Sequence, residues 1–498
     1  MFIKNKIKTR KTQSVSLEYA EFAENMNSDT SDVVLPLSQT KLSYNFCART
    51  GKLATGYGFS PLRLPTENGS LDTREIVIYE ESNILGLWQF RFYDHDRNRQ
   101  EERLMWFNAD GYLVYCNIFD YDSSSYEIND IEALDSVPNG MNLTINDTDY
   151  MIFAHKNGVM KLTQNTKSVN NEFPLDKFLS ITNAYGGIYA IIDGKRNKIT
   201  YSHTNLDPTE WGLAEAVLDI TDERGACNKL VYFNDYLYAF RDYGITKISK
   251  YTTTSDFSTT NLYYTTAKIY GDTVTQCGDN ILFLASDGLY SFNGNSTDKF
   301  KININNLLTE NNENAVACYN AGKYFLACRL NFGDSEKVGE ENFAGGYTNN
   351  ALVVLDLETK HVCITRGVDI HSILGVNSGS VSKVIACFNG QHSARLGMLD
   401  NSGKIFGKPL KSVWRAVKTD LNTPETDKIL KEIYIKTTAP TTIKITSDKT
   451  MRKFDINGSG KLQKVRANIN GKEFQIELES ESQAEIESLK AKFDVVKG

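Results

Sequence analysis

The sequence predicts an all-β fold: a β-propeller of six to eight blades, with an extended N-terminal arm before it and a small β-sandwich after it. Three observations carry this reading. Runs of alternating apolar, aromatic and polar residues recur through the middle of the chain, joined by Asn, Asp and Gly turns. These units recur at roughly 40 to 50 residues, the length of one four-stranded blade. No segment of that region shows a long, capped helical period.

Composition agrees with a strand-rich globular chain. Hydrophobic residues make up 41% and charged residues 23% of 498, which excludes wholesale disorder. There are 26 Tyr and 25 Phe but 4 Trp, a balance suited to pleated, half-buried surfaces. With 34 Gly against 9 Pro, turns fall to Gly, Asn and Asp. The net charge of -7 and the scattered cations argue against sequence-reading nucleic-acid binding; the cluster from Lys4 to Lys11 reads as a solvated or partner-docked arm. The eight cysteines (Cys47, Cys116, Cys227, Cys277, Cys318, Cys328, Cys363 and Cys387) form no CxxC pair and mostly sit in apolar runs, which predicts buried free thiols in a reducing cytoplasm. No signal peptide and no apolar run of about 20 residues is visible, so a soluble chain made in the cytoplasm is expected.

In order along the chain, residues 1–70 read as the arm and first strands, with two short strands around a Gly turn between Leu42 and Gly56. Residues 71–410 read as the propeller. Its hairpins include Met105 to Tyr115, Tyr150 to Leu162, Leu230 to Phe240, Ile281 to Phe292, Ala317 to Ala327 and Gly397 to Phe406. About 330 residues at this period give six to eight blades, and a pair of stacked sandwiches is the competing arrangement. Two short helices are expected outside this region, at Val15 to Asn25 and at Pro424 to Lys431, the second with Thr423 as N-cap. Residues 411–498 read as an antiparallel sandwich. Its strands lie near Lys431 to Lys436, Thr442 to Thr446, Lys464 to Asn468 and Glu473 to Leu478, with Ala484 to Val496 fitting a strand at least as well as a helix.

Familiar catalytic patterns fail one by one. Asn457-Gly-Ser-Gly-Lys461 lacks the first Gly of a phosphate loop, where Asp455 stands, and its hydroxyl, where Leu462 stands. An EF-hand started at Asp120, near Asp122 and Glu132, meets Ser125 and Ile131 in place of Gly and Glu. Asp94-His95-Asp96 is a poor chelate, with His95 a loop or surface residue. Gly58-Phe-Ser-Pro and Gly375-Val-Asn-Ser-Gly miss the register of a nucleophile elbow. Ser286-Asp-Gly-Leu-Tyr lacks the Trp spacing of sialidase turns, and the triplets at Asn142, Asn146 and Asn295 read as chance matches to a glycosylation signal. The expectation is a non-enzyme, with no catalytic, cofactor-binding or metal-ligating residue assigned.

Three stretches resemble a group of bacteriophage tail and neck proteins, the stabilization, tail tubular B-like or tail-hub proteins. They are Asn45-Phe-Cys-Ala-Arg-Thr-Gly-Lys-Leu-Ala-Thr-Gly-Tyr-Gly58, Asn197-Lys-Ile-Thr-Tyr-Ser-His-Thr-Asn-Leu-Asp-Pro-Thr-Glu-Trp211, and Cys277-Gly-Asp-Asn-Ile-Leu-Phe-Leu-Ala-Ser-Asp-Gly-Leu-Tyr-Ser-Phe-Asn-Gly294. Thr446 to Leu478 is similar to their terminal sandwich, whereas the polar insertion Asp334 to Asn350 departs from the pattern. The resemblance implies a virion structural protein: a homo-oligomeric ring, a hexamer by expectation, joined to portal or adaptor and other tail proteins. Viral DNA would pass through its lumen without sequence-specific binding. Two other readings stand beside this one: a receptor- or glycan-binding propeller at the distal tail tip, its aromatic surplus supplying stacking platforms, and a hydrolase with a dispersed site.

Overall fold

The protein, seen in a computed structural model, is described over residues 12–19, 22, 26–32, 40–65, 71–75, 84–108, 112–116, 127–130, 139–145, 147–155, 158–164, 167–170, 178–192, 194–203, 216–250, 257–309, 311–336, 338, 347–378, 381–388 and 395–496. Among these residues strands carry the fold, with 3-10 turns at Gly271–Thr273 and Asn305–Leu307. Six four-stranded antiparallel sheets follow one another, their first strands beginning at Ile84, Asn139, Phe178, Cys227, Thr275 and Val316. The strands Ile370–Ser378, Val381–Phe388 and Arg395–Asp400 begin a seventh.

A closed ring of seven blades follows from the packing. Each pair of neighbouring blades shares its own buried apolar cluster. Phe90, Phe92 and Met105 of blade 1 meet Met151 and Phe153 of blade 2. The series runs on through Ile152 with Phe178, Ile191 with Leu230, Phe240 with Phe283, Leu284 with Leu326, and Phe325 with Ile370. The last cluster brings Val376, Ile385 and Leu396 of blade 7 against Leu87, Leu104 and Trp106 of blade 1. Stacked sandwiches would bury two faces, not seven successive interfaces.

Tight turns between first and second strands fit the hairpin signal. Tyr185-Gly186, Asn234-Asp235 and Ala321-Gly322 all have positive φ at both positions, the backbone that matches strand twist. The segment from Gly397 to Phe406 is not the expected hairpin. A strand from the N-terminal region, Gly58–Pro61, lies between its halves, antiparallel to Arg395–Asp400 and bridged in parallel to Ile405. This strand completes blade 7 and closes the ring across the full span of the propeller. Gly58 is needed there, since a Cβ would lie 2.5 Å from the backbone N and O of Lys404.

The region expected as an arm is likewise built into this chain's own sheets where it is described. We label its strands β1 (Thr12–Glu18), β2 (Thr40–Tyr44), β3 (Phe46–Arg49), β4 (Lys52–Thr55) and β5 (Gly58–Pro61). β1 runs antiparallel along Glu485–Val496, β4 pairs with the start of the same strand, and β2 pairs with Ser412–Ala416. The sandwich is thus made from both ends of the chain. One sheet orders β3, β4, Glu485–Val496, Lys428–Thr437 and Leu462–Gly471; the other orders β2, Ser412–Ala416, Phe474–Ser480, Thr441–Ser447 and Met451–Ile456. Leu430, Ile433, Ile443, Ile445, Leu478 and Leu489 meet between them. Neither expected helix is present among the described residues: Val15 to Glu18 lie within β1, with residues 20, 21 and 23–25 outside the described residues, and residues 424–426 form a turn before Lys428–Thr437. Their apolar spacing was too short to outweigh strand pairing to a long, alternating neighbour.

The cysteine expectation is corrected at two positions. Cys47 of β3 and Cys363 of blade 6, 316 residues apart, are joined as a disulfide with Cα atoms 5.3 Å apart. Their pairing could not be read from spacing, because it exists only once β3 lies against blade 6. Cys227, Cys277, Cys318, Cys328 and Cys387 are free and buried.

Two predictions follow from the two cores. Phe59 is 1% exposed and meets Phe388 edge-on at 4.8 Å, so Phe59→Ala costs about 3–5 kcal/mol in denaturant unfolding and opens blade 7 first. In the sandwich, burial raises the Glu477 carboxyl, but hydrogen-bonded Lys444 at 2.9 Å and Arg415 outweigh it and hold the pKa below 4.5. A depressed carboxylate stabilises fully above its ordinary value and loses that contribution as pH falls through the lower folded one. Acid titration below 4.5 therefore weakens the sandwich, and Glu477→Gln removes this component of the pH slope.

Candidate functional site

Among the described residues no group of three His, Cys, Asp or Glu side chains could hold a metal ion. His95 sits exposed in a turn against the Tyr93 ring, while buried Asp94 accepts the backbone N–H groups of Asp96 and Arg97. The carboxylate is spent on the turn. Asn457 to Lys461 forms a tight turn between strands, with Gly458 packed on Ala439. Asp287 accepts from Tyr290 Oη at 2.8 Å and Lys299 Nζ at 3.1 Å, which makes it a hairpin brace. Asn142 straps blade 2 to blade 1 through Gln89 O at 2.7 Å, and Asn295 lies in a turn. Asp120, Asp122, Glu132, Asn146 and the cluster Lys4 to Lys11 lie outside the described residues. Burial pushes the Cys227, Cys277 and Cys328 thiols up to about 12, so they are not nucleophiles at neutral pH.

The densest polar arrangement is the strap where the chain passes from sandwich to propeller. Asn45, fully buried at φ 59°, joins β2 to β3 in the left-handed backbone that Asn tolerates. Its Nδ2 donates to Arg366 O at 3.1 Å and Lys411 O at 2.8 Å, and its Oδ1 accepts from Arg366 N at 2.8 Å. Its own backbone N–H donates to Ile364 O, while its carbonyl accepts from Gly56 N and Ser412 Oγ. Gly56 must be small, since a Cβ would lie 2.9 Å from the Asn45 carbonyl carbon. One residue, through its side chain and backbone, thus ties blade 6, the start of the sandwich's C-terminal half and the strap to β5.

Arg366 extends the knot. Its guanidinium takes Asp334 in a two-pronged pair at 2.7 and 2.9 Å and Glu336 O at 2.7 Å, and it stacks over the Phe332 and Tyr44 rings at 4.3 and 4.9 Å. The described part of the polar insertion is therefore a counter-ion for the junction; residues 337 and 339–346 lie outside the described residues. Trp414 Nε1 donates to Thr40 Oγ1, with Tyr19 and Phe22 edge-on at 5.4 and 5.3 Å. A cavity of about 30 Å³ beside Trp414, Cys363 and Met26 has room for a single water.

A second feature is aromatic and exposed. Tyr232 (36% exposed) and Tyr236 (37%) flank the Asn234-Asp235 turn of blade 4, beside Tyr185 of blade 3 at 5.4 Å from Tyr232. Lys247 Nζ sits 3.2 Å from the Tyr236 ring centre. Tyr185 holds φ 51°, an uncommon backbone for a bulky residue, because its hydroxyl locks the two blades: it donates to Ile248 O at 2.6 Å and accepts from Leu237 N at 3.1 Å. Beneath, Tyr189 Oη contacts His203 Nε2 at 2.7 Å, and burial with nearby Lys250 lowers the His203 pKa. Sequence alternation had placed Tyr232 and Tyr236 in a hairpin, but nothing in it distinguished an exposed pair from core.

Fold and site together define a class: a seven-bladed β-propeller, closed by an N-terminal strand and stapled to a sandwich built from both chain ends. No protein-family model matches the chain, and no curated protein matches it. Among solved structures it is similar to the AfRom2 CNH domain (11% identity, TM-score 0.36, 65% of this chain and 98% of that one). It is also similar to BamB from Moraxella catarrhalis (10%, TM-score 0.36, 79% and 97%) and to YCF48 from Cyanidioschyzon merolae (8%, TM-score 0.33, 55% and 95%). The blade count rests on the strand pairing and the seven inter-blade cores.

Asn45 gives a sharp test. Asn45→Ala leaves buried groups of blade 6 and Lys411 unsatisfied and costs about 2–4 kcal/mol by chemical denaturation. Asn45→Asp is worse than Ala, because a carboxylate then faces the two carbonyls that Nδ2 now serves.

Proposed function

We propose that this chain is a structural protein of a bacteriophage tail or neck, a subunit of a homo-oligomeric ring around the DNA exit path. One observation carries the reading. The stretch that resembles those proteins, Asn45 to Gly58, coincides with the strap that binds sandwich, blade 6 and closing strand. Motif residues spent on holding domains rigidly together suit a part whose task is mechanical. The second stretch runs past residue 203 into residues that are not described, and the third forms the first hairpins of blade 5. Charge supports the same reading: residues 12–410 carry 33 Lys and Arg against 49 Asp and Glu, net -16, and a lumen of that sign repels phosphate.

The test is proteomics and immunogold electron microscopy of gradient-purified particles. Stoichiometric detection with label at the neck or tail is expected; absence of the chain from every particle overturns the reading. The exposed Tyr232 and Tyr236, beside half-buried Tyr185, favour a second reading, a glycan-binding propeller at the tail tip, since sugar rings stack on such platforms. That reading expects glycan-array binding abolished by Tyr232→Ala with Tyr236→Ala, and label confined to the distal tip.

A further inference from the structure

Charge in this chain is segregated along the sequence. Against the net -16 of residues 12–410, residues 411–498 carry 17 Lys and Arg and 13 Asp and Glu, net +4. Much of that surplus is at one place. Between Asp448 and Arg466 stand six cations (Lys449, Arg452, Lys453, Lys461, Lys464 and Arg466) and two acids. These residues form Met451–Ile456, the start of Leu462–Gly471 and the turn between them.

Both strands are sheet edges. Met451–Ile456 pairs with Thr441–Ser447 alone, and Leu462–Gly471 with Lys428–Thr437 alone, among the described residues. They lie at the opposite end of each sheet from β2 and β3, which face blade 6, so this double edge is the part of the sandwich farthest from the propeller. Met451 is 54% and Leu462 62% exposed, among the most exposed large apolar side chains described. Arg452, Lys453, Lys461, Lys464 and Arg466 are all exposed, and no ion pair reaches Lys461 or Arg466 among the described residues.

We infer that this double edge is a docking surface for a second copy of this chain, seated against the acidic 12–410 portion of the neighbour. The inference rests on the ring reading above and names its interface. Lysines on an edge strand repel an identical edge, so two sandwiches do not pair edge to edge. The same lysines, with unpaired backbone and two exposed apolar side chains between them, accept an acidic strand or loop. A basic patch on one unit and its complement on another unit of the same chain make a heterologous contact, the kind that generates rings when the rotation closes. Nucleic acid fits less well, since a phosphate backbone offers nothing to Met451, Leu462 or the open strand edges.

The experiment uses the full chain, mixed from unlabelled and isotope-labelled preparations, with native mass spectrometry and zero-length carbodiimide cross-linking. We expect oligomers that dissociate between about 50 mM and about 500 mM salt. Cross-links between differently labelled copies should join Lys453, Lys461 or Lys464 to carboxylates within residues 12–410. Neutralising Lys453, Lys461, Lys464 and Arg466 to Gln weakens self-association at least about tenfold while the chain keeps its cooperative unfolding; Met451→Lys with Leu462→Lys weakens it without changing the sign of the salt effect. Oligomers indifferent to both variants overturn this interface and leave the ring reading standing. A chain monomeric at every salt overturns both. Loss of retention on a short DNA duplex, with oligomers unchanged, assigns the edge to nucleic acid instead and overturns the inference.

Discussion

Asn45 is the constraint on which the rest of the architecture depends. The chain has to leave the sandwich, pass the outer strand of blade 6 and arrive in register beside blade 7. A fully buried amide in left-handed backbone makes that turn and satisfies three backbone groups of blade 6 and the Lys411 linker as it does so. Each of those groups would otherwise be buried without a partner. Gly56 and Gly58 are small because backbone lies where their side chains would be, and Arg366 seals the outside with Asp334 and two aromatic faces. The Cys47–Cys363 link crosses the same junction.

From that anchor the ring closes on itself. Blade 7 is made of strands from both sides of the propeller, so the first and last blades cannot separate without breaking β5 from its partners. Each inter-blade interface has a separate apolar cluster, which explains why blades of degenerate sequence still assemble: a blade has to match its two neighbours and no other. The sandwich shares this economy of connection, since strands from both termini lie in each of its sheets.

Several described polar residues that look like chemistry in the sequence serve the fold. Asp94 holds a turn, Asp287 braces a hairpin, Asn142 bridges two blades, and Asp334 neutralises Arg366. Two surface features stand apart from these among the described residues: exposed Tyr232 and Tyr236 on blade 4, and a basic double edge on the sandwich.

By itself the sequence determined the strand-rich fold, the blade period and the hairpin turns, because these depend on neighbours within a few residues: alternation sets a buried face, and Asn, Asp and Gly accept the positive φ of tight turns. It also showed the C-terminal alternation of Lys431 to Lys436, which lies within an observed strand, and of Glu473 to Leu478, which forms one from Phe474 onward. Tertiary structure decided what depends on distant partners. Val15 reads as helical until β1 finds Glu485–Val496, and Gly397 to Phe406 reads as a hairpin until β5 enters between its halves. Cys47 and Cys363 read as free thiols until 316 residues of chain fold to bring them together. The exposure of Tyr232, Tyr236, Met451 and Leu462 was equally hidden, since period-2 patterning says which residues share a face but not which face is covered.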